Sequence, residues 1–371
     1  MTRLREALDG IADEAPLADL ADRVDLAVAG HRRRRRTVLG LAAVAAVTVL
    51  GVATAVVALQ VPRGDDTTAP QRVDTVPDLP DGRTGPLSHA YQTPCKVDPE
   101  EPLRRPPDCR AVEWRVVTRA GMTYRVPQAL VRNTKEWRAP VAISRDGRML
   151  AYYSRQAQAH VVRDLVSGSE VTSPVTVKEE RIGMGSMLVV SDDGRYVVFD
   201  PREGSKEPGL LIDMRTGKTV SVPGKFETIS VKDGVAELIR YVKTDLWLMP
   251  ATGGGAPVRF DGVFIMFSEL APDGRTVAAF RMRDIERHTL TLLDAKTGRT
   301  LRKVAIQGLP KDGGIAGTTL WRSGSEVTIV HLGTGLTSTY AVDVNTGQAR
   351  QLARYPGHLP YLTLPGFEGV G

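Results

Sequence analysis

Two kinds of glycine turn alternate along this chain, and their alternation constrains the fold more than any other feature of the sequence. An Asp-Gly turn, with Ser-Gly at its last occurrence, has its glycine at Gly147, Gly194, Gly234, Gly274 and Gly324. A Ser-Gly or Thr-Gly turn follows each of them after 19 to 24 residues, with its glycine at Gly168, Gly217, Gly253, Gly298 and Gly347. Such dipeptides supply the positive φ angles that tight hairpin turns require. The sequence therefore predicts a series of β-hairpins.

The runs between these turns are short and rich in Val, Ile, Leu, Thr and Tyr, which is typical of half-buried strands. Five such units occupy residues 141–175, 187–222, 228–260, 270–304 and 318–352. Four short strands in a repeat of about 40 to 50 residues predict the blades of a β-propeller, because each blade buries its faces only against its neighbours in a ring. A flat antiparallel solenoid is the alternative.

The number of blades depends on how the ring closes. Residues 113–118 and 122–126 predict an outer hairpin without inner strands of its own, and residues 360–364 predict an inner strand from the other end of the sequence. Joining these in one blade gives six blades, with five or seven as alternatives. We therefore expect an all-β fold, a six-bladed β-propeller over residues 111–371.

One turn carries a resemblance to a known family. Residues Ala271 to Phe280 read APDGRTVAAF, which resembles the Pro-Asp-Gly-Arg turn and following strand of TolB-type, WD-repeat-like propellers. The turns at 191–195 and 144–148 match this pattern without the proline. The resemblance covers roughly residues 140–355, and it implies the fold without implying an activity.

A second constraint precedes the repeats: residues 37–61 are 25 in a row without a charge. As a helix they would reach roughly 37 Å, and a bilayer core of about 30 Å needs only about 20 residues. Five arginines stand directly before this run, at Arg32, Arg33, Arg34, Arg35 and Arg36. Because arginines beside a span stay cytoplasmic, we expect residues 1–36 in the cytoplasm and residues 62–371 outside the cell, on a single transmembrane helix. The predicted location is the cell membrane.

A cleaved export signal is the rival interpretation of the same residues. The pair Arg35-Arg36 with its Gly- and Ala-rich apolar run resembles a twin-arginine signal, and cleavage would leave a secreted propeller. The run is longer than the 7 to 15 apolar residues usual for a signal core, which favours the membrane anchor.

The segment 1–36 predicts two short amphipathic helices before the arginine block. The Leu-Arg-Glu-Ala-Leu helix at 4–8, the arginine block, the single span and the outer domain are together similar to actinobacterial single-pass proteins associated with extracytoplasmic-function sigma factors. This resemblance implies that residues 1–30 bind a cytoplasmic protein and that the chain takes part in signal transduction. The chain departs from zinc-type anti-sigma domains, because their His-x-x-x-Cys-x-x-Cys signature is absent from the sequence.

Residues 62–110 predict an extended linker, since ten of the 24 prolines lie in this stretch. Proline lacks an amide donor and fixes φ, so we expect neither helix nor central strand here. Cys95 and Cys109 lie within it, in a compartment that permits oxidation, and we expect a disulfide between them. Closing a loop of about 15 residues would contribute roughly 3 kcal/mol. Two free thiols are the alternative.

The sequence contains no signature of catalysis. There is no Gly-x-Ser-x-Gly or His-Glu-x-x-His motif, and the six histidines have no metal-ligand spacing. We therefore expect no enzyme activity, no cofactor and no metal. Residues 62–371 hold 41 basic against 36 acidic side chains, which excludes a nucleic-acid footprint. The alternative is a lyase or glycan hydrolase at the central channel, which would need carboxylates or histidines converging at the channel mouth.

The topology of a blade separates two faces of the ring. The two tight glycine turns of each blade lie on one face, called here the turn face, and the longer connections lie on the opposite one, called the loop face. Long loops on a rigid ring are the usual place for recognition. Four arginines are predicted on the loop-face rim, at Arg155, Arg202, Arg283 and Arg287. They indicate an anionic or protein ligand, and a solvated polar rim is the alternative. We expect a binding or sensing module with a protein partner.

Overall fold

The computed structural model describes residues 76–95, 111–201, 207–241, 243–357 and 359–370. The chain divides into two units, Met1–Thr75 and Val76–Gly371, and all described residues belong to the second. Within these ranges, none of the helices has the length and apolar character that a membrane crossing requires. The predicted cytoplasmic segment, the Arg32–Arg36 block and the span 37–61 lie outside the described residues and stay predictions.

The described part of the chain forms 25 strands. The first eleven are β1 (Leu87–Gln92), β2 (Trp114–Thr118), β3 (Thr123–Arg125), β4 (Val141–Ile143), β5 (Met149–Ser154), β6 (Ala159–Asp164), β7 (Glu170–Thr176), β8 (Met187–Val190), β9 (Tyr196–Asp200), β10 (Gly209–Asp213) and β11 (Thr219–Val222). The next eight are β12 (Glu227–Lys232), β13 (Val235–Arg240), β14 (Asp245–Pro250), β15 (Val258–Arg259), β16 (Phe264–Ile265), β17 (Thr276–Arg281), β18 (Thr289–Asp294) and β19 (Thr300–Ala305). The last six are β20 (Gly314–Trp321), β21 (Glu326–Gly333), β22 (Leu336–Asp343), β23 (Ala349–Pro356), β24 (Leu362–Leu364) and β25 (Phe367–Val370). Two short 3-10 helices, Glu179–Arg181 and Met282–Arg287, lie between strands.

These strands form six antiparallel sheets, which are the six blades of a β-propeller. Blade 1 has the order β25-β24-β1-β2-β3 and joins both ends of the described chain, while blades 2 to 6 are the consecutive groups β4–β7, β8–β11, β12–β15, β16–β19 and β20–β23. The prediction of six blades is confirmed. The strand predicted at 360–364 is also confirmed, because β24 pairs with β1 through Thr363 and Ala90.

Six clusters of buried apolar side chains hold the ring together, and one lies at each junction between neighbouring blades. Ala151 and Phe199 belong to the cluster between blades 2 and 3. Val330 and Leu362 belong to the cluster between blade 6 and blade 1, where the ring closes. A closed ring has as many junctions as blades, so the flat solenoid alternative is wrong.

A repeated ion pair ties the two tight turns of a blade together. In blade 3 the Asp213 carboxylate accepts hydrogen bonds from the backbone N–H groups of Arg215 and Thr216, and it pairs with the Arg195 guanidinium at 3.0 Å. We call this arrangement the Arg–Asp clamp. Blades 2 and 5 repeat it with Arg148–Asp164 and Arg275–Asp294. Blade 4 has Val235 and Pro250 in the two places, and blade 6 keeps Asp343 but has Ser325 in place of the arginine.

Strand β1 corrects the prediction that the proline-rich stretch holds no central strand. It lies between β24 and β2 in blade 1, with Leu87 and Ala90 fully buried. The six residues of β1 contain no proline and lie between Pro86 and Pro94. The number of prolines over the whole stretch 62–110 therefore did not indicate this short strand. The preceding segment also packs on the ring, where Leu79 donates its backbone N–H to Arg125 O at 2.8 Å.

The disulfide prediction falls partly outside the described residues. Cys95 ends the described segment 76–95, whereas Cys109 lies in the range 96–110 that the structure does not describe. The pairing of these two cysteines stays a prediction.

Blade 1 has one strand more than the other blades. β24, β1, β2 and β3 correspond to the four strands of an ordinary blade, and β25 pairs with the inner edge of β24. From there β25 contacts β4 of blade 2, β8 of blade 3 and β20 of blade 6. A strand that reaches three other blades lies inside the central channel of the ring.

Candidate functional site

The structure places Arg155 on the loop face, directly after β5, in a defined ion pair. Its Nε and Nη2 donate to the two carboxylate oxygens of Glu179 at 2.8 and 2.9 Å, and Nη2 also donates to Arg132 O at 3.1 Å. The Arg155 side chain is nevertheless 60% exposed, while the carboxylate that holds it is largely buried. The guanidinium is therefore fixed in position and still open to a ligand.

Arg283 and Arg287 lie in the 3-10 helix Met282–Arg287 on the loop face of blade 5. The Asp284 carboxylate between them pairs with Lys303 Nζ at 2.9 Å, and this hydrogen bond holds the pKa of Asp284 below its usual range. Arg283 is 70% exposed and has its Nε 4.0 Å from Asp284 Oδ1. Blade 5 lies opposite blade 2 in a ring of six, so these two arginines are not brought together with Arg155. Arg202 lies outside the described residues.

A short hairpin beside Arg155 was not predicted, and we call its residues 132–138 the finger. Arg132 and Arg138 form its β-bridge. Asn133 is buried, accepts hydrogen bonds on Oδ1 from the backbone N–H groups of Lys135 and Trp137, both at 2.9 Å, and donates Nδ2 to Ile182 O at 2.6 Å. A single amide side chain therefore both shapes the finger and fixes it to the connection between blades 2 and 3.

The tip of the finger exposes an aromatic side chain. Trp137 is 37% exposed, whereas Trp114 and Trp321 are buried between blades. Glu136, beside it, has a φ of 65°, a left-handed conformation that turns the chain back at the tip. Thr134 donates its backbone N–H to Glu179 Oε1 at 2.9 Å, so the carboxylate that holds Arg155 also holds the finger. Tryptophan and arginine are the residues most enriched at the energetic centres of protein interfaces.

The base of the finger borders a cavity of about 1040 Å³ on the loop face. Its wall combines an apolar stretch, Pro127 and Ala129 to Val131, with the polar side chains of Arg132, Thr134 and Arg155. The wall is about equally polar and apolar, and a concave surface with polar groups fixed in position can bind a ligand. The arrangement can receive side chains of a partner and orient them by the guanidinium of Arg155.

The turn-face mouth of the channel carries a network of charged groups. Arg145 of blade 2 has its Nη1 3.2 Å from Asp192 Oδ2 of blade 3, and its Nε lies 2.5 Å from Glu269 Oε2 of blade 5. Blades 2 and 5 are opposite, so this ion pair crosses the ring. Burial raises the pKa of Glu269, and the charge of Arg145 opposes that rise. The network closes the mouth.

Glu237 is a fully buried carboxyl group behind this network, on β13. Its Oε2 accepts hydrogen bonds from Ser230 Oγ at 3.0 Å and from Leu270 N at 2.8 Å, while Oε1 has no hydrogen-bond partner among the described residues. Burial raises the pKa of Glu237 to about 8, and the nearby charge of Glu269 adds to the rise. The group is therefore a neutral acid at pH 7.

The channel-enzyme alternative requires carboxylates at the channel mouth, where Asp192 and Glu269 are linked through Arg145, while Glu237 is fully buried. Each of them has an ion-pair or hydrogen-bond partner, and β25 fills the channel beside them. In the described ranges, no group of three or more His, Cys, Asp or Glu side chains is arranged to hold a metal ion. The alternative would need β25 to leave the channel, and the absence of enzyme activity stays a prediction.

Comparisons with known proteins find distant structural similarities and no family. No protein-family model matches the chain, and a search of curated proteins finds no match. Among solved structures, TolB from Acinetobacter baumannii is 14% identical with a TM-score of 0.45, and the match covers 75% of this chain and 65% of TolB. This chain thus spans slightly less than two thirds of TolB.

Two further solved structures are similar at the same level. The β-propeller domain of Myceliophteria thermophila Cps50 (Swd1) is 15% identical with a TM-score of 0.39, covering 63% of this chain and 78% of that domain. A chain of a nidogen/laminin complex is 10% identical with a TM-score of 0.42, covering 74% of this chain and 96% of that one. The six blades are assigned from the strand order of the chain itself.

Proposed function

We propose that this chain is a membrane-anchored binding or sensing module whose propeller recognises a protein outside the cell through its loop face. The observation that carries the proposal is the finger beside the cavity of about 1040 Å³, because Arg155, held by Glu179, lines this cavity and the finger that borders it exposes Trp137. The rigid ring below supports this surface at low cost in entropy on binding.

The chemistry of the surface favours an acidic segment of a protein ligand. Arg132 and Arg155 lie in the cavity wall together with one acidic residue, Glu136, and Lys135 is exposed at the tip of the finger. The three cations outnumber this carboxylate. Glu179 is already occupied by Arg155 and Thr134. An acidic partner would therefore meet cations whose positions are set before binding, which improves specificity and the association rate.

Site-specific photocrosslinking in living cells tests the loop-face proposal. A photoreactive amino acid at Thr134 or Gln156, beside the cavity, should give a crosslinked species, whereas the same group at Ser167 or Thr297 on the turn face should give none. Arg155→Ala should weaken the crosslink from Thr134 while the amount of folded chain is unchanged. Equal crosslinking from both faces would contradict the assignment.

The anchor is part of the same proposal and rests on the uncharged run 37–61 behind Arg32–Arg36. The intact chain should be found in the membrane fraction with residues 1–61 retained in its mass, and a reporter after residue 371 should be active only outside the cytoplasm. A mature protein that lacks residues 1–61 would instead support the secreted propeller.

The cytoplasmic segment 1–36 would carry the signal to a partner inside the cell, as the resemblance to sigma-factor-associated proteins implies. The test is co-purification of a sigma factor with the full chain but not with a chain that lacks residues 2–30. If neither chain retains a sigma factor, the proposal that residues 1–36 bind one is wrong, and the proposal of an outer binding module remains.

A further inference from the structure

The extra strand β25 is an addition to the four strands of an ordinary blade, because blade 1 already has β24, β1, β2 and β3. The apolar cluster at the junction with blade 6 consists of Val330, Leu362 and Leu364, and Phe367 of β25 packs against it. β25 lies further inside, where it covers the inner edge of β24. Without β25, this edge would present unpaired backbone groups to the channel, which is an open place for another strand.

β25 pairs with β24 over a short register, and one of its side chains fits a specific position on β20. Its register with β24 consists of Leu362 opposite Val370 and Leu364 opposite Phe367, with an irregularity between them. The Phe367 ring lies against Gly317 of β20, and a Cβ at position 317 would be 2.7 Å from the ring. The φ of Gly317 is not positive, so space for the ring, and not backbone conformation, explains the glycine.

We propose that the channel is a binding site for an extended peptide with an aromatic side chain, and that β25 occupies this site as an internal substitute. The inner edge of β24 would pair with the backbone of the ligand, as in other complexes that add a strand to a sheet edge. The notch at Gly317 would receive the aromatic ring. The proposal does not depend on the finger or on its ligand.

The channel can admit such a peptide from one side only. At the turn face, Arg145 bridges Asp192 and Glu269, and its Cγ lies 3.4 Å from the position of a Cβ on Gly366. Gly366 also donates its backbone N–H to Ile143 O at 3.0 Å. The hinge of β25 is therefore fixed at the closed end, and the strand can leave only toward the loop face.

Fluorescence anisotropy with a labelled peptide tests the site. The probe is the heptapeptide LPGFEGV, which repeats residues 364–370, and the control probe has alanine in place of its phenylalanine. The full chain with Phe367→Ala should bind the probe at least about tenfold more tightly than the unchanged chain, because the internal competitor is weakened. Adding Gly317→Val to Phe367→Ala should abolish this binding. Equal binding of both probes, or no binding to a folded Phe367→Ala chain, would overturn the proposal.

Hydrogen exchange on the unchanged chain keeps the proposal testable if a variant fails to fold. The backbone amides of β25 should exchange at least about tenfold faster than those of β4, β8 and β20 under native conditions, because a displaceable strand opens without global unfolding. Exchange of β25 only together with those strands would show that it is an integral part of the ring, and would overturn the proposal.

Discussion

The repeated turns of the turn face and the finger of the loop face are built from contacts of very different range along the chain. On the turn face, Asp213 binds the backbone of Arg215 and Thr216 and pairs with Arg195, all within one blade. On the loop face, Asn133 depends on Ile182 O, 49 residues away and in another connection. The clamped turns are therefore repetitive and stabilise each blade, whereas the finger is unique and can specify a ligand.

The largest expected effect is at a turn-face glycine. Gly347 has a φ of 78°, and a Cβ there would collide with Ala305 O of the preceding blade. Gly347→Ala should therefore lower the free energy of unfolding by about 3 kcal/mol or more, since strain and collision add. Urea denaturation followed by circular dichroism measures this.

Gly254→Ala is the matched control for that experiment. Gly254 has a φ of 92°, but nothing lies within 4 Å of the position of its Cβ. Only conformational strain applies there, with an expected loss of about 1 kcal/mol. If Gly347→Ala and Gly254→Ala lower the free energy of unfolding equally, the close approach of Gly347 to Ala305 O in the preceding blade does not stabilise the ring.

Glu237 provides the next effect, and its size depends on pH. Its pKa is about 8 in the folded chain and about 4.5 when unfolded, so the folded chain loses stability as the pH rises from 4.5 to 8 and no further above that. Glu237→Gln removes this loss. The variant should be more stable than the unchanged chain by a few kcal/mol at pH 8 and by little at pH 4.

Thermal unfolding of both chains across pH 4 to 9 measures the difference. Ser230→Ala is a useful companion, because it removes one hydrogen bond to Glu237 without removing the carboxyl group. That variant should keep the pH dependence. A Glu237→Gln chain with an unchanged pH profile would show that Glu237 is ionised in the fold.

These differences in range explain how much of the molecule the sequence could predict. The turn face was predictable, because an Asp-Gly or Thr-Gly pair fixes its turn through its own φ angles. The clamp was overlooked although its signal is local: an arginine follows the first glycine, and an aspartate stands four residues before the second, as with Arg275 and Asp294.

The loop face and the channel were less predictable for a physical reason. Asn133 has no local signature, since its partner Ile182 is distant in sequence. Gly317 looks like any strand glycine until Phe367 is seen against it. β16 was expected further along, near 270, but its paired residues are Phe264 and Ile265 because an irregular segment separates them from the turn. Such features depend on which segments the ring brings together.

The third effect compares clamped and unclamped blades. Arg275→Ala leaves the buried Asp294 carboxylate without its guanidinium, so the chain should be less stable at pH 7. The hydrogen bond from Arg275 holds the pKa of Asp294 below its usual range, and its contribution is present above pH 4 and lost as the pH falls. The variant should therefore lose less stability than the unchanged chain between pH 4 and pH 2.

Ser325→Arg is the reciprocal change, because blade 6 has Asp343 without an arginine. It should raise the urea midpoint at pH 7, though less than Arg275→Ala lowers it, since Asp343 is already satisfied by the backbone of Asn345 and Thr346. No change in either variant would mean that the clamps contribute nothing measurable, as for many exposed ion pairs.

The smallest effect on stability belongs to the loop face, and it separates the two faces most clearly. Trp137→Ala removes an exposed indole at the tip of the finger, and Met122→Ala removes a side chain that is 53% exposed at the β2–β3 turn of the turn face. Both should change the free energy of unfolding by about 1 kcal/mol or less, because neither side chain is fully buried. Only Trp137→Ala should also reduce crosslinking from Thr134 in cells. If Met122→Ala reduces crosslinking from Thr134 equally, recognition is not confined to the loop face, and the assignment of ligand binding to that face alone is wrong.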